Sequence, residues 1–449
     1  MFVAIDLGAS GSRVCTDNGL ISVLPNNVTY LPDGVVSELR SDVNEIEFNL
    51  EAQITKEGDT SSNHYFPATV LMGAMAERYR GTPDTPKVDA HKYMQRINYI
   101  SSVMSVAVIL MKYGTETARF DGDTPVVSLY LAVPPIEHSE ASVKFKEELV
   151  GKYTVYFPKF NGGQSVTFII DDVFCERESM MAVTSFIFSP KTMRPKDETK
   201  EFMKDYLVSV DIGASTTDII AIKDGQFLDK TSQTFKTGGN ILRDNVANLL
   251  TQKYGFSIPD EAVDKAIMEG RLKLGSGYDD ISDILKLAKQ EFAKSITTHL
   301  PSYFNRVQIP IQLINGMLVS GGGSLASQYF DENGTLIETS PSMSHYVTED
   351  LKASAKNLRV IQYGGEARFA NIKGLFVRAR VREALKARER AQETAAQAVA
   401  SQATQAVQTQ AIQPTPVISA GTAVVNQANA GGTAVVDTAT VGPNNTAIV

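Results

Sequence analysis

Several residue types are scarce in this sequence of 449 residues. It contains two cysteines, Cys15 and Cys175, no tryptophan and five scattered histidines. Two cysteines are too few for a disulfide framework and are typical of a reducing compartment. The histidines lack the paired spacing of zinc ligands, so a zinc enzyme is not indicated.

Long hydrophobic runs are missing too. The longest candidate membrane segment, residues 103–111, is far shorter than the ~20 apolar residues that cross a bilayer. Positive charge is not in excess. The chain has 43 lysine and arginine residues and 51 aspartate and glutamate residues, which gives a net charge of −8. Such a chain is not expected to attract nucleic acid broadly. We therefore expect a cytoplasmic protein without membrane contact, which would reach DNA only through an adaptor protein.

The C-terminal part lacks both aromatic and charged residues. No aromatic residue follows Phe376, and after Arg390 only Glu393 and Asp437 are charged. Without large side chains such a segment cannot offset the entropy lost on ordering. We predict a C-terminal helix over 377–398 and a low-complexity, disordered tail over 399–449.

One repeat dominates what the sequence does contain. The segment VAIDLGAS at residues 3–10 recurs as VSVDIGAS at residues 208–215. In both copies an apolar strand runs into Asp-x-Gly-Ala-Ser, and a second alternating strand with an Asn-Gly or Asp-Gly hairpin signal follows. A repeat of this length indicates a duplicated domain rather than a solenoid unit.

Each repeated loop has the composition of an anion site. Small residues let the backbone approach a ligand closely, and consecutive N–H groups form a concave site for phosphate. The aspartate that ends each strand, Asp6 or Asp211, is useful there if a hydrated Mg²⁺ lies between it and the phosphates. Arg13 can return toward the phosphate oxygens.

A plain glycine hairpin is an equal alternative for either loop alone. Two such loops, each at the start of an α/β half, favour one nucleotide held from both sides. The candidate binding residues are Gly8, Ala9, Ser10, Gly11, Ser12 and Arg13 in the first loop and Gly213, Ala214, Ser215 and Thr216 in the second.

Outside the loops, strand patterns alternate with helix patterns. The predicted elements are a buried helix over 96–113, a central strand over 126–133, helices over 178–188 and 240–254, a helical stretch over 259–300 interrupted at 275–277, and a long last helix over 366–398. This alternation predicts an α/β protein whose sheets are covered by helices.

Five short elements together resemble the actin-like ATPase superfamily. They are the phosphate-1 loop (6–13), the first connecting helix (176–182), the phosphate-2 loop (211–218), the adenosine motif (317–324) and the second connecting helix (369–375). Arg13 stands where lysine is commoner in the family. Gly321, Gly322 and Gly323 of the adenosine motif are expected to pass under the base. The resemblance covers about residues 1–380.

The resemblance implies a fold of two duplicated actin/ribonuclease-H-like domains that flank a nucleotide cleft. Domain I is expected over 1–205, with an inserted small subdomain at about 33–115. Domain II is expected over 206–376, with an inserted helical subdomain at about 240–310.

The resemblance also implies hydrolysis of ATP or GTP with Mg²⁺. Asp6 and Asp211 would hold the metal, through water, and take part in catalysis. Glu178 aligns with the catalytic position of the family, where a residue orients the attacking water, and Glu176 is the competing candidate. Surface carboxylates at a helix N-terminus are the alternative explanation of both.

Two further nucleotide contacts are implied. Gly238 and Gly239 resemble a nucleotide-contacting turn, and a simple helix start capped by Asn240 is an equal alternative. Glu291 and Lys294 share a helix face at the position that lines the adenine and ribose in the chaperone branch. An ordinary surface pair is the commoner explanation of that spacing.

Within the superfamily, the short body disfavours sugar kinases, and the tail lacks both a chaperone's β-rich domain and a membrane-binding amphipathic helix. The remaining similarity is to ParM-type bacterial actins. That branch implies a self-assembling, filament-forming ATPase that segregates plasmid or phage DNA through a DNA-binding adaptor protein. The alternatives are a non-polymerising kinase or phosphatase acting on a small metabolite, and a scaffold that binds nucleotide without turnover.

Overall fold

A computed structural model gives the fold of the chain. It describes residues 1–8, 11–32, 35–37, 49–58, 65–79, 82–87, 90–160, 162–325, 328–330, 336–338, 342–351, 358–363 and 366–411. Ala9 and Ser10 of the first loop and residues 412–449 of the predicted tail lie outside this set. The chain divides into two compact units, Met1–Arg380 and Val381–Val449.

The first sheet is built around the first copy of the repeat. Its strands are β1 (Phe2–Gly8), β2 (Gly11–Thr16), β3 (Ile21–Leu24), β4 (Val28–Leu31), β5 (Asn49–Lys56), β6 (Ala68–Gly73), β7 (Arg119–Asp121), β8 (Thr124–Val133), β9 (Gly151–Phe157) and β10 (Gln164–Arg177). They lie in the order β3-β2-β1-β8-β10-β9-β5-β6-β4, with β7 paired to β8. Strands β1 and β8 are parallel and buried at almost every position, because both faces of the sheet are covered.

The second sheet is built around the second copy. The strands of this half are β11 (Tyr206–Ile212), β12 (Thr217–Lys223), β13 (Gln226–Phe227), β14 (Gln233–Phe235), β15 (Arg271–Leu274), β16 (Gly277–Asp280), β17 (Ile314–Ser320), β18 (Gln328–Phe330), β19 (Leu336–Glu338) and β20 (Val360–Gln362). Six of them form a sheet in the order β13-β12-β11-β17-β20, with β14 paired to β12. Strands β15 and β16 form a separate hairpin, as do β18 and β19.

Helices cover both sheets. They are α1 (Ala74–Arg78), α2 (Arg96–Tyr113), α3 (His138–Leu149), α4 (Glu178–Ile187), α5 (Gly239–Tyr254), α6 (Asp260–Glu269), α7 (Ser282–Thr297), α8 (Leu300–Val307), α9 (Met343–Leu351) and α10 (Ala370–Ala411). Each sheet has its own apolar core. A third cluster joins Phe2 and Tyr130 of the first sheet to Met181 of α4 and to Leu375 and Phe376 of α10.

Most elements occur where the sequence predicts them, and one does not. Helix α2 has the predicted bounds, 96–113, and α4 and α5 begin within one residue of their predicted starts. The prediction of a helical stretch over 259–300 is wrong at residues 271–280, which form the hairpin β15–β16. Gly275, with a φ of 58°, makes the left-handed turn that glycine permits and a helix does not.

The last helix is longer than the predicted one. Helix α10 runs from Ala370 to Ala411, so residues 399–411 of the segment expected to be disordered are helical. Alanine and glutamine have high helix propensity, and this explains how the helix continues without large side chains. Among the described residues, no helix is long and apolar enough to cross a membrane.

Candidate functional site

The two repeated loops fold as matching hairpins. In the first, Asp6 pairs across the strands with Arg13 and Gly8 pairs with Gly11. In the second, Asp211 pairs with Asp218, and the N–H of Gly213 donates to the carbonyl oxygen of Thr216 at 2.8 Å. The paired strands therefore match, but the residue opposite the aspartate is basic in one copy and acidic in the other.

The N-terminus of α5 orients the second loop. The N–H groups of Gly239 and Asn240 donate to the carbonyl oxygens of Gly213 and Ala214, at 2.9 and 2.7 Å. Because the C=O and N–H of a trans peptide point in opposite directions, the N–H groups of Ala214 and Ser215 point away from α5. Two adjacent amides on one side of a turn can bind an anion.

Gly238 and Gly239 thus contact the second loop directly. A Cβ at Gly238 would lie 2.6 Å from the carbonyl oxygen of Ala214 and 2.5 Å from the carbonyl carbon of Ser215, so only glycine allows this packing. A direct contact of either glycine with nucleotide remains a prediction, since the Gly239 amide is already bonded to the loop.

The first loop is anchored through its backbone. Nδ2 of Asn26 donates to the carbonyl oxygen of Gly8 at 2.8 Å, and Oδ1 of Asn26 accepts from the Ser101 hydroxyl at 2.6 Å. The Arg13 guanidinium lies 3.6 Å from the Asp6 carboxylate. The Ser12 side chain is fully buried and, on an alternating strand, faces away from Arg13.

Asp211 is held by two elements that follow it in the chain. Nδ2 of Asn371, on α10, donates to Oδ2 of Asp211 at 2.8 Å, and the Ser320 hydroxyl lies 3.4 Å from Oδ1. Burial raises the pKa of Asp211, and the negative charge of Asp6 raises it further. The hydrogen bond from Asn371 and the positive charge of Arg13 lower it. Asp6 and Arg13 of the first loop are thus near enough to Asp211 to influence the charge on its carboxyl group.

The glycine turn after β17 lies against the second loop. Gly321 has a φ of 86°, and a Cβ there would overlap the carbonyl group of Ile212. A Cβ at Gly323 would lie 2.6 Å from Cγ2 of Ile212, whereas a Cβ at Gly322 would meet nothing closer than Cβ of Arg368 at 3.9 Å. Gly321 and Gly323 therefore pack too closely against protein for a Cβ, whereas a Cβ at Gly322 would make only an ordinary contact.

Glu178 begins α4 and is buried among other acids. It forms an ion pair with Lys92. Burial raises the pKa of Glu178; Lys92 opposes this effect, while Asp6 and Asp218 add to it. One acid from each loop is therefore near enough to influence the Glu178 carboxyl group.

Asp218 is a second buried acid in the same cluster. Burial raises its pKa to about 7, against a hydrogen bond from Thr234, and Asp211 adds to the rise. Acids whose pKa values are raised by burial and by one another are typical of functional sites.

Glu176 has a different environment. It lies on β10, one residue before the strand ends, so the connecting helix that the resemblance implies over 176–182 begins at 178 instead. Its Oε1 lies 3.7 Å from Nε of Arg378 on α10. Glu178, by contrast, pairs with Lys92 and is influenced by Asp6 and Asp218 of the two loops.

Glu291 and Lys294 lie on the exposed face of α7. The opposite face of the helix is buried through residues such as Ala288 and Phe292. Within the described residues, neither side chain makes a hydrogen bond or an ion pair with the two loops. Their role in nucleotide binding remains a prediction that no observed contact supports.

The sequence assigned no role to three residues that lie near the aspartates of the two loops. Lys92 comes from a distant segment that no local pattern distinguishes, and Asn371 lies in the predicted second connecting helix, where the resemblance implies no role for it. Asp218 stands seven residues after Asp211, as Arg13 stands seven after Asp6, so alignment of the two repeats could have indicated it.

No direct metal centre is present in the described part of the chain. No group of three or more histidine, cysteine, aspartate or glutamate side chains there could hold a metal ion. A divalent cation that keeps its waters, as Mg²⁺ usually does, needs fewer protein ligands. The aspartates of the two loops fit that kind of site.

Comparison with solved structures identifies the fold of the chain. The chain is similar to the actin-like protein Alp7A, with 16% identity and a TM-score of 0.64 over 88% of this chain and 98% of that one. The chain has the actin fold. This confirms the α/β class and, at the level of fold, the resemblance to the actin-like superfamily.

Other actin-like proteins give the same result. Bacillus thuringiensis ParM with AMPPNP has 17% identity and a TM-score of 0.58, over 85% of this chain and 99% of that one. The archaeal actin homologue Ta0583, in complex with ADP, has 14% identity and a TM-score of 0.57, over 84% and 99%. Residues 209–330 match the family model "Archaeal actin homologue MreB-like, C-terminal". A comparison of the sequence with curated proteins gave no match.

Proposed function

We propose that this actin-like protein binds ATP, or GTP, with Mg²⁺ between its two hairpins and hydrolyses it. The observation that carries the proposal is the convergence of three buried carboxylates, Asp6, Asp211 and Glu178, from two sheets and a helix. Solved structures of the same fold include ParM with AMPPNP and Ta0583 in complex with ADP. Phosphate release from ATP in the presence and absence of Mg²⁺ tests it, and no release in either condition contradicts it.

The residues present fit a metal–nucleotide complex. Asp6 and Asp211 would hold the hydrated cation, and the amides of Ala214 and Ser215 would bind phosphate oxygens. Crowded acids with raised pKa values are stabilised by a cation, and the nucleoside would lie against the turn at Gly322. When bound, Mg²⁺ neutralises charge that develops on the phosphates.

The protein's own contribution to hydrolysis would be positioning. Phosphoryl transfer needs oriented reactants and stabilised charge more than covalent chemistry. Glu178 has a buried carboxylate that can orient a water molecule by accepting its hydrogen bond. Arg13 would stabilise negative charge beside Asp6, where it already lies.

The glycine turn offers a test that separates folding from binding. Gly322→Ala is expected to leave the free energy of unfolding within ~0.5 kcal/mol of wild type, because the new methyl group makes only an ordinary contact with Arg368 at 3.9 Å. That methyl group is expected to lower nucleotide affinity at least about tenfold, since the nucleoside would lie against this turn. Calorimetric titration and urea unfolding measure the two effects.

Gly321→Ala is the matched substitution one residue earlier. Its Cβ overlaps the Ile212 carbonyl group at a left-handed φ, so we expect a loss of stability larger than ~1 kcal/mol. If Gly322→Ala binds nucleotide like wild type, the nucleoside does not lie at this turn.

We further propose that nucleotide binding drives self-assembly into filaments, with DNA segregation through a DNA-binding adaptor protein in the cytoplasm. The similarity to ParM and Alp7A supports this part of the proposal. Light scattering and electron microscopy with ATP and Mg²⁺ are expected to show polymers that require nucleotide. Persistent monomers at high concentration would contradict assembly, and ADP release dependent on a metabolite would favour the non-polymerising kinase.

A further inference from the structure

A buried lysine lies opposite the acid proposed to orient water. Nζ of Lys92 forms an ion pair with Oε1 of Glu178, and their side chains are only 18% and 11% exposed. Taking two charges out of water costs desolvation energy, so such a pair is weak evidence for a stabilising role. A role in binding explains the pair better.

The turn that carries Lys92 is fixed by its neighbours. Nε2 of Gln95 donates to the carbonyl oxygens of Ala90 and Lys87, at 2.7 and 3.0 Å, and Oε1 of Gln95 accepts from the N–H of Lys87 at 2.6 Å. The N–H of Lys92 donates to Oε2 of Glu137 at 2.8 Å. The backbone is therefore ordered in the free protein and pays little entropy when a ligand binds.

Lys92 faces more negative charge than it can balance. Burial lowers the pKa of Lys92, but Glu178, Asp6 and Glu137 outweigh that effect and raise it, so its amine stays charged. The ammonium group has three donors. It can therefore bind a second anion while it remains within reach of Glu178.

We propose that Lys92 is the positioning residue by which this cleft distinguishes a nucleoside triphosphate from a diphosphate. In the free protein Lys92 holds Glu178. The terminal phosphate of a triphosphate competes with that carboxylate for Lys92, and the released carboxylate accepts a hydrogen bond from water. The inference rests on the proposed nucleotide hydrolysis and adds how the site recognises its substrate.

The chemistry of the partners supports this exchange. Phosphate oxygens form strong charge-assisted hydrogen bonds, and lysine binds phosphate as a point charge. A diphosphate lacks the terminal group, so it leaves the pair of Lys92 and Glu178 intact. Binding of AMPPNP, but not of ADP, should therefore depend on Lys92.

Calorimetric titration of the full chain with AMPPNP and with ADP, both with Mg²⁺, tests this. Lys92→Met is expected to weaken AMPPNP binding by about 10- to 100-fold, the loss of a charge-assisted hydrogen bond, and to change ADP binding by less than about threefold. Lys92→Arg, which keeps the charge, should restore part of the AMPPNP affinity. Lys87→Met, an exposed lysine five residues earlier, should change neither affinity.

A double variant separates binding from folding. Lys92→Met alone leaves Glu178 buried without its partner, whereas Lys92→Met with Glu178→Gln removes both charges and should fold like wild type. Because this variant lacks Lys92, its affinity for AMPPNP should be similar to its affinity for ADP. An equal loss of both nucleotides, or no loss of either, would overturn the inference. If wild type binds neither nucleotide, the proposed function fails, and that result is distinct from both.

Discussion

Replacing Glu178 by glutamine is expected to lower the rate of ATP hydrolysis by about 10²- to 10⁴-fold, the usual contribution of a group that orients or deprotonates the nucleophile. Glutamine has the same shape but lacks the negative charge that accepts a hydrogen bond from water strongly. Nucleotide binding and assembly should persist, because Asp6, Asp211 and the loop amides are unchanged. Single-turnover phosphate release with the full chain measures the effect.

Glu176→Gln is the matched control. Glu176 lies two residues earlier, on β10, and its largely buried side chain pairs with Arg378 on α10. Because it is not proposed to contact the attacking water, its loss should change hydrolysis by less than about threefold. Equal hydrolysis by Glu178→Gln and wild type would remove Glu178 from the proposed role. A large loss in Glu176→Gln alone would move that role to Glu176.

Replacing Gly374 by alanine is expected to destabilise the fold by about 3 kcal/mol or more, at the upper end of the cost of overpacking a core. A Cβ at Gly374 would overlap the carbonyl oxygen of Met181 and lie 2.5 Å from the carbonyl carbon. Backbone cannot move aside as a flexible side chain does, so α4 and α10 would have to separate. Urea unfolding of the full chain measures the loss.

The sign of this effect makes the test decisive. In an exposed helix, glycine to alanine stabilises by up to about 1 kcal/mol, so propensity and packing predict opposite outcomes at Gly374. Gly277→Ala, where a Cβ meets nothing closer than 3.9 Å, is the control and should change stability by less than ~0.5 kcal/mol. A stability gain in Gly374→Ala would mean that the two helices do not cross so closely.

The local parts of this fold could be predicted from the sequence. The strand–turn–strand units around Asp6 and Asp211 depend on neighbouring residues, because apolar alternation and small turn residues determine a hairpin within a dozen positions. The buried helix over 96–113 is predicted with correct bounds for the same reason. The hairpin at 271–280 was missed because a short pair of strands within helical sequence carries little periodic signal.

The environment of each candidate residue depended on contacts between distant segments. The sequence alone could not distinguish the role of Glu178 from that of Glu176. The packing of α4 beside both loops places Glu178 near Asp6, Asp218 and Lys92. Glu291 and Lys294 share a helix face as predicted, yet that face is exposed. The apolar residues of α7, such as Ala288 and Phe292, already indicate that the opposite face is the buried one.

The sequence by itself therefore determined the repeat, the two aspartates at the strand ends and the glycine turns, since each of these follows from short-range backbone chemistry. The tertiary structure alone decided which charges meet. Lys92, Asn371 and Asp218 reach the cluster from three separate elements, and the strength of a charge interaction depends on distance and burial rather than on position in the chain.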